Sequence, residues 1–378
     1  FAAAPEVTPA PLPVAAGSVP PSNIALDEYQ RAAVAWRKGE ALVAAAAGSG
    51  KTTVLVERVA ALVADGVLPE RILTLVYNRA AGDSLKARLR ARLSDEVGGR
   101  VAAFTFHGWA YSTLRAWYPG APHLRSDRIV GLEDGPSAPA LAGRAMKASG
   151  LRGEEWKVYV SASEQIREAL VDLKAATAVD EVAELRCAGG SLRVAEELLT
   201  FARAYQEQKD ADKAIDFADM LYLVARAIIE ENPRARALQG SYAHVQIDEG
   251  QDINPARLAI ADWLGKGADS LVVVGDLRQS VYGFTGARPD LFKGRLDRGA
   301  TLLTLPINYR STGAVVDAGN KIADGRDWNL GGACKPAATA PAGEKVRAWK
   351  TETSQSEAAQ VAGEIKARVD GGLPIADA

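Results

Sequence analysis

The stretch AAAAGSGKTT, Ala44–Thr53, stands between an apolar run and a helix-patterned segment. Leu42 and Val43 lead in as a buried strand does, and Val54, Leu55, Val59, Leu62 and Val63 lead out at helical spacing. Strand, glycine-bearing loop and helix in that order form a phosphate cradle. Backbone N–H groups line a concave turn, and the helix N-terminus adds partial positive charge. Gly48, Ser49, Gly50, Lys51, Thr52 and Thr53 are the binding candidates: Lys51 for the β/γ-phosphates, Thr52 for Mg²⁺. The full pattern GxxxxGK[ST] asks for glycine where Ala45 stands; Gly48 and Gly50 remain at the closest approach, so Ala45 reads as a tolerated variant.

Upstream, LDEYQRAAV (Leu26–Val34) is a short amphipathic helix in which the Gln30 amide offers a purine edge a donor and an acceptor together. Downstream, ILTLVY (Ile72–Tyr77) is a buried strand followed by a helix from Asn78, and VAAFTFHGWA (Val101–Ala110) a third strand running into polar and aromatic residues. Strands alternating with helices imply a parallel, doubly wound sheet with ligands at the carboxyl ends of the strands, where Asn78, Thr105 and His107 fall. From 118 to 240 the pattern is helical, with helices expected at Ser163–Thr177, Leu192–Gln208 and Phe217–Glu231 after a Pro/Gly-rich connection.

The sheet resumes with HVQIDEGQD (His244–Asp252) and LVVVGDLRQS (Leu271–Ser280). Asp248 at a strand tip suits Mg²⁺ opposite Thr52, and Glu249 suits orienting or deprotonating a water. TLLTLPINYRST (Thr301–Thr312) and KVRAWK (Lys345–Lys350) read as strands of a second α/β unit, with helices at 313–323 and 356–369. The expected divisions are therefore a flexible Ala/Pro linker over 1–21, a first sheet domain over 22–117 and 241–287, its helical insertion over 118–240, and part of a second domain over 288–378.

Composition narrows the class. The 378 residues are 48% hydrophobic and 24% charged, ordinary for a globular chain of about two to three domains. Forty-five basic against 47 acidic residues provide no global basic field, which weakens the case for nucleic acid without closing it, since a protein gripping it in one narrow groove can be neutral in total. Cys187 and Cys334 lack metal or disulfide spacing, and no run of 18 apolar residues occurs, so a reducing cytoplasm and no membrane span are expected. The opening FAAAPEVTPAPLPVAAGSVPPS lacks the basic start of a secretion signal.

Taken in order, these strings resemble the UvrD/Rep/PcrA family of superfamily 1 DNA helicases from about Leu26 onward. LDEYQRAAV is similar to the family's Q motif, AGSGKTT to motif I, NRAA to the tail of motif Ia, TFHGWA to motif Ib and IDFADML (Ile215–Leu221) to the segment before motif II. DEGQD resembles motif II, GDLRQSVYGFTGA motif III and NYRS motif IV. The resemblance implies a RecA-like P-loop NTPase sheet with a helical insertion and part of a second RecA-like domain. It implies ATP and Mg²⁺ as cofactors, single-stranded DNA and single-strand/duplex junctions as partners, and 3′ to 5′ movement.

By position it implies that Gln30 reads adenine and Tyr309 stacks on it, that Glu249 is the catalytic base, and that Gln279 senses the γ-phosphate. Arg310 becomes an arginine finger, a contact worth roughly 10³ to 10⁵ in rate. Tyr282 and Phe284 become base-stacking aromatics, and Tyr77, Asn78, Thr105 and His107 line the strand's path. There are departures: motif Ia is one residue short, Gly250 replaces the usual aromatic of DExQD, and Thr285 replaces an arginine. Motifs V and VI do not occur, so the expectation is an amino-terminal portion that binds nucleotide and does not unwind alone. Two rivals stay open: a P-loop ATPase or kinase without a DNA track, and a helicase-derived binding module.

Overall fold

A computed structural model describes residues 19–372 apart from 21 and 152–154. Most of the expected 1–21 linker lies outside the described residues. Six parallel strands form the central sheet: β1 (Gly39–Ala45), β2 (Ile72–Val76), β3 (Ala102–Thr105), β4 (His244–Ile247), β5 (Ser270–Gly275) and β6 (Thr301–Leu305), in the order β3-β2-β4-β5-β1-β6. Because both faces are covered, the strands are continuous apolar runs rather than alternating ones. Leu42 of β1 and Leu271 and Val273 of β5 point to one face, Ala41, Val43, Val272 and Val274 to the other.

Among the described residues, thirteen helices fall around this sheet or in the insertion. α1 (Glu28–Val34), α2 (Lys51–Ala64), α3 (Arg79–Leu93) and α4 (Asp95–Arg100) cover one face; α5 (Phe106–Trp117) begins the other. Between β3 and β4 come α6 (Ala138–Ala148), α7 (Trp156–Glu168), α8 (Ala178–Glu184), α9 (Leu192–Ala211), α10 (Phe217–Ile229) and α11 (Pro233–Leu238). α6 to α9 close two apolar clusters of their own, while α10 packs on α5 and on α12 (Pro255–Lys266) and joins the sheet's core through Met220, Leu221 and Val224. The insertion is helical as expected; its one strand-like contact among the described residues is a bridge from Ile129 to Ile215. α13 (Pro289–Asp297) leads into β6.

Three expectations need correction. Thr301–Leu305 does not belong to a second unit: β6 pairs in parallel with β1, Val43 opposite Leu303, so the first sheet runs past residue 287. Its apolar residues complete the β1 edge, burying Leu305 with Val43 and Val54. Lys345–Lys350 forms no strand; the polar residues of that stretch are exposed and pair with nothing in a sheet. The helix expected at Ser163–Thr177 is α7, which ends at Glu168, where Leu170 turns at φ 65°. Beyond β6, a two-stranded ribbon joins β7 (Ile307–Asn308) to β8 (Lys335–Pro336), and α14 (Gly313–Ala323) and α15 (Ser354–Asp370) follow the helical spacing.

Candidate functional site

The phosphate loop is built as a cradle closed by three other segments. Gly48 and Gly50 adopt φ of 72° and 82°, the left-handed region that side chains disfavour. A methyl group on Gly48 would lie 2.7 Å from Arg310 Cβ, and one on Gly50 2.8 Å from Gln30 Nε2, so both positions exclude side chains on space as well as on conformation. Gln30 is buried and donates through Nε2 to the Ser49 carbonyl at 3.0 Å while its Oε1 accepts from the Asp27 N–H. One donor and one acceptor lone pair of that amide remain for a ligand.

From the far end of the sequence, Asn308 Nδ2 donates to the Ala47 carbonyl at 2.8 Å and the Tyr309 N–H to the Gly48 carbonyl at 2.9 Å. The Tyr309 hydroxyl donates to Asp27 at 2.6 Å, leaving the ring half exposed beside the loop. β6 therefore delivers Tyr309 and Arg310 to the loop because it is the neighbour of β1. The Arg310 side chain is exposed.

Opposite the loop, β4 ends in Asp248 and Glu249. Lys51 Nζ lies 3.2 Å from Glu249 Oε2. Glu249 sits at φ 52°, ψ 49°, an unusual conformation for a side-chain-bearing residue and a frequent one at functional sites. Asp248 is buried, and burial together with the neighbouring Glu249 pushes its carboxyl up to about 6. Asp252 is pushed up to about 7 by the same two causes. A hydrogen-bond line continues into the next strand. Gln251 Nε2 donates to Glu249 Oε2 at 2.8 Å, Gln251 Oε1 accepts from the Asp276 N–H at 2.9 Å, and Gln279 Nε2 donates to Asp276 Oδ2 at 2.8 Å. Thus Lys51, Glu249 and Gln279 are joined through Gln251 and Asp276, two residues not singled out in the sequence.

Three to five residues beyond Gln279 the same segment carries the aromatics. Tyr282 packs on Tyr77 with ring centroids 5.1 Å apart and on Phe284 at 5.9 Å. Phe284 is 65% exposed, which ordinary core packing does not produce. The other strand-end residues are partly committed to the fold. Asn78 Oδ1 caps α3 by accepting from the Ala81 N–H, and Thr105 Oγ1 caps α5 by accepting from the Gly108 N–H. His107 Nε2 lies 3.5 Å from Glu168 of α7. Thr52 is in the first turn of α2, and Thr53 Oγ1 accepts from Arg88 Nη2 at 2.9 Å.

Gly250 is explained by a residue outside the motifs. Added carbon there would meet Val273 Cγ1 at 2.6 Å and the Phe292 ring at 2.7 Å. Phe292 of α13, buried, fills the place beside motif II. No signal in the sequence marks it.

Buried polar atoms at the loop suit a phosphorylated ligand: Ser49 Oγ is enclosed without a partner, directly between the two glycines. Among the described residues no three His, Cys, Asp or Glu side chains gather as a metal cage.

This is the site of a P-loop nucleotide-binding protein whose loop faces a carboxylate pair. The chain belongs to the UvrD/Rep helicase family: the UvrD/REP helicase N-terminal domain matches residues 26–297. It is 30% identical to the ATP-dependent DNA helicase UvrD2 of Mycobacterium tuberculosis (strain ATCC 25618 / H37Rv) over 366 residues, 92% of this chain and 50% of that protein. It is 28% identical to DNA helicase II of Escherichia coli (strain K12), covering 93% of this chain and 47% of that protein. To the ATP-dependent DNA helicase PcrA of Leuconostoc citreum it is also 28% identical, over 79% of this chain and 39% of that protein. The chain spans about half the length of the curated relatives it matches. No helix among the described residues is long and apolar enough to cross a membrane.

Proposed function

We propose that this chain is the nucleotide-binding and strand-gripping part of an ATP-driven motor that moves along single-stranded DNA, 3′ to 5′ as in the resemblance, and opens duplex at a junction. One observation supports this reading over a P-loop enzyme without a track. The segment Asp276–Phe284 carries Gln279 on the hydrogen-bond line to Glu249 and, a few residues on, the exposed Tyr282 and Phe284. Nucleotide state and strand contact share one short piece of backbone.

The residues present suit ATP with Mg²⁺. Ser49, Gly50 and Lys51 would hold phosphate oxygens, Thr52 and Asp248 the cation, Gln30 and Tyr309 the base. When bound, Mg²⁺ neutralises charge on the β- and γ-phosphates. Lys51, now paired with Glu249, exchanges that carboxylate for phosphate. Glu249 then retains its hydrogen bond from Gln251, which aims it as a general base toward a water. Gln279, hydrogen-bonded to Asp276, would report the third phosphate, and Arg310 would stabilise its developing charge. Tyr77, Tyr282 and Phe284 give stacking faces blind to base identity, each worth about 1 to 3 kcal/mol.

The test is ATP turnover by the full-length protein with and without single-stranded DNA, with Lys51→Ala as control. Strong stimulation that vanishes in the control is expected. Turnover indifferent to DNA would refute the motor and leave an ordinary P-loop ATPase.

A further inference from the structure

Arg257, in the first turn of α12, lies between the two halves of the site and belongs to none of the motifs read from the sequence. Its guanidinium is buried, with Cζ 5.1 Å from the Tyr77 ring centroid and 6.0 Å from that of Phe106. Tyr77 is the residue against which Tyr282 packs. In its own plane the guanidinium donates through Nη1 to the Asp252 carbonyl at 3.0 Å, and the Asp252 N–H donates to the Glu249 carbonyl at 3.0 Å. A flat cation can stack on a ring while its in-plane donors bind a carbonyl; a lysine ammonium, having no plane, reproduces neither the stacking nor the donor fork.

The third side of Arg257 is held by the helical insertion. Glu168, the last residue of α7, places Oε2 3.8 Å from Arg257 Nη2 and accepts from Asn254 Nδ2, while its Oε1 faces His107. Burial raises this carboxyl, but the contacts with His107, Arg257 and Asn254 outweigh it and keep the group below the usual carboxylate range. One carboxylate thus joins the insertion to the strand-end residue His107 and to the start of α12, just after motif II.

Resting on the motor reading above, we propose that Arg257 is a positioning residue through which a strand seated on Tyr77 and Tyr282 sets the turn carrying Glu249, and that Glu168 fixes Arg257 for this task. The turn is suited to such control. Glu249 occupies the left-handed region, so a small shift of the Asp252 carbonyl moves a residue already in a sparsely populated conformation. A base that fixes the tilt of Tyr282 against Tyr77 fixes the guanidinium that lies over Tyr77, and the carbonyl follows.

The experiment measures kcat and KM for ATP in the full-length protein, with and without saturating oligo(dT), alongside oligo(dT) affinity by fluorescence anisotropy and the melting temperature. The variants are Arg257→Gln, Arg257→Lys, Glu168→Gln and the Arg257→Gln/Glu168→Gln pair. Wild type is stimulated by the oligonucleotide. In Arg257→Gln the stimulated kcat falls about 2- to 30-fold while KM and oligonucleotide affinity change little. Arg257→Lys, which keeps the charge and folds where the glutamine variant does not, fails to restore the stimulation. Glu168→Gln gives the same loss, and the double variant is no worse than the worse single one.

Full stimulation in Arg257→Lys, or in both glutamine variants, overturns the inference while leaving the motor intact. So does an equal fall of basal and stimulated turnover accompanied by a lowered melting temperature, the mark of a merely structural residue. A wild type indifferent to oligo(dT) removes the motor reading and the inference with it.

Discussion

Replacing Gly250 by alanine tests whether Phe292 is the reason motif II has no side chain there. The backbone at Gly250 is not in the left-handed region, so alanine alone would stabilise by about 0.4 to 1 kcal/mol through the unfolded chain. Sterics oppose this. The added methyl would lie 2.6 Å from Val273 Cγ1 and 2.7 Å from two atoms of the Phe292 ring, about 1 Å inside ordinary carbon contact. Both neighbours are enclosed within the core. Overpacking of this kind costs about 1 to 3 kcal/mol, so the net expectation is destabilisation by about 1 to 2 kcal/mol. Phe292→Ala alone costs about 3 to 5 kcal/mol as a cavity, yet it removes two of the three close contacts. In that background the cost of Gly250→Ala should shrink by at least about 1 kcal/mol. Urea denaturation of the four proteins of the cycle measures both numbers. An alanine at 250 as well tolerated as glycine, or an equal cost in both backgrounds, would refute the packing argument.

Two further outcomes follow from buried charge. Lys209 donates to Asp216 and Asp219 at 2.6 Å each and is enclosed, so Lys209→Met should cost about 3 to 5 kcal/mol by stranding Asp216 and leaving Asp219 to Arg167 alone, and adding Asp216→Asn should recover most of it. For Asp252, the folded value near 7 exceeds the ordinary 3.8, so its contribution to stability is complete below pH 4 and is lost as pH rises through 7. In protein free of nucleotide and metal, Asp252→Asn should therefore stabilise more at pH 8 than at pH 5.5, by at most about 4 kcal/mol at the higher pH; thermal melts at both values decide it.

Much of this architecture is legible because parallel strands buried on both faces are written as short apolar runs. β1, β2, β4 and β5 are such runs, and the residues at their carboxyl ends are the candidate site residues. Sheet membership is another matter. Nothing local in TLLTL distinguishes a strand that joins β1 from one that starts a new unit, since the partner lies more than 250 residues away. Within the insertion, apolar spacing continues through the buried Val171 and Leu173 although the helix has ended at Glu168, so periodicity misplaced α7. α6 was hidden because Pro139 reads as a connection, while a proline in a helix's first turn breaks no hydrogen bond. Arg257, Glu168 and Phe292 carry no motif; each matters through neighbours supplied by other elements. The position of Asn78 and Thr105 was legible, and their use as helix caps was not.

The sheet order also sets a schedule for the nascent chain. β2, β3 and their helices find partners soon after they emerge, but β1, at the heart of the phosphate site, has only β5 and β6 beside it. Roughly 225 residues must be added after β1 before β5 exists, about 11 to 45 seconds at 5 to 20 residues per second. For that interval an apolar strand waits with both hydrogen-bonding edges open. The helical insertion is what fills the wait, and its two self-contained clusters allow it to collapse on itself without capturing the unpaired strand. The nucleotide loop is thus among the first segments made and among the last to acquire its shape.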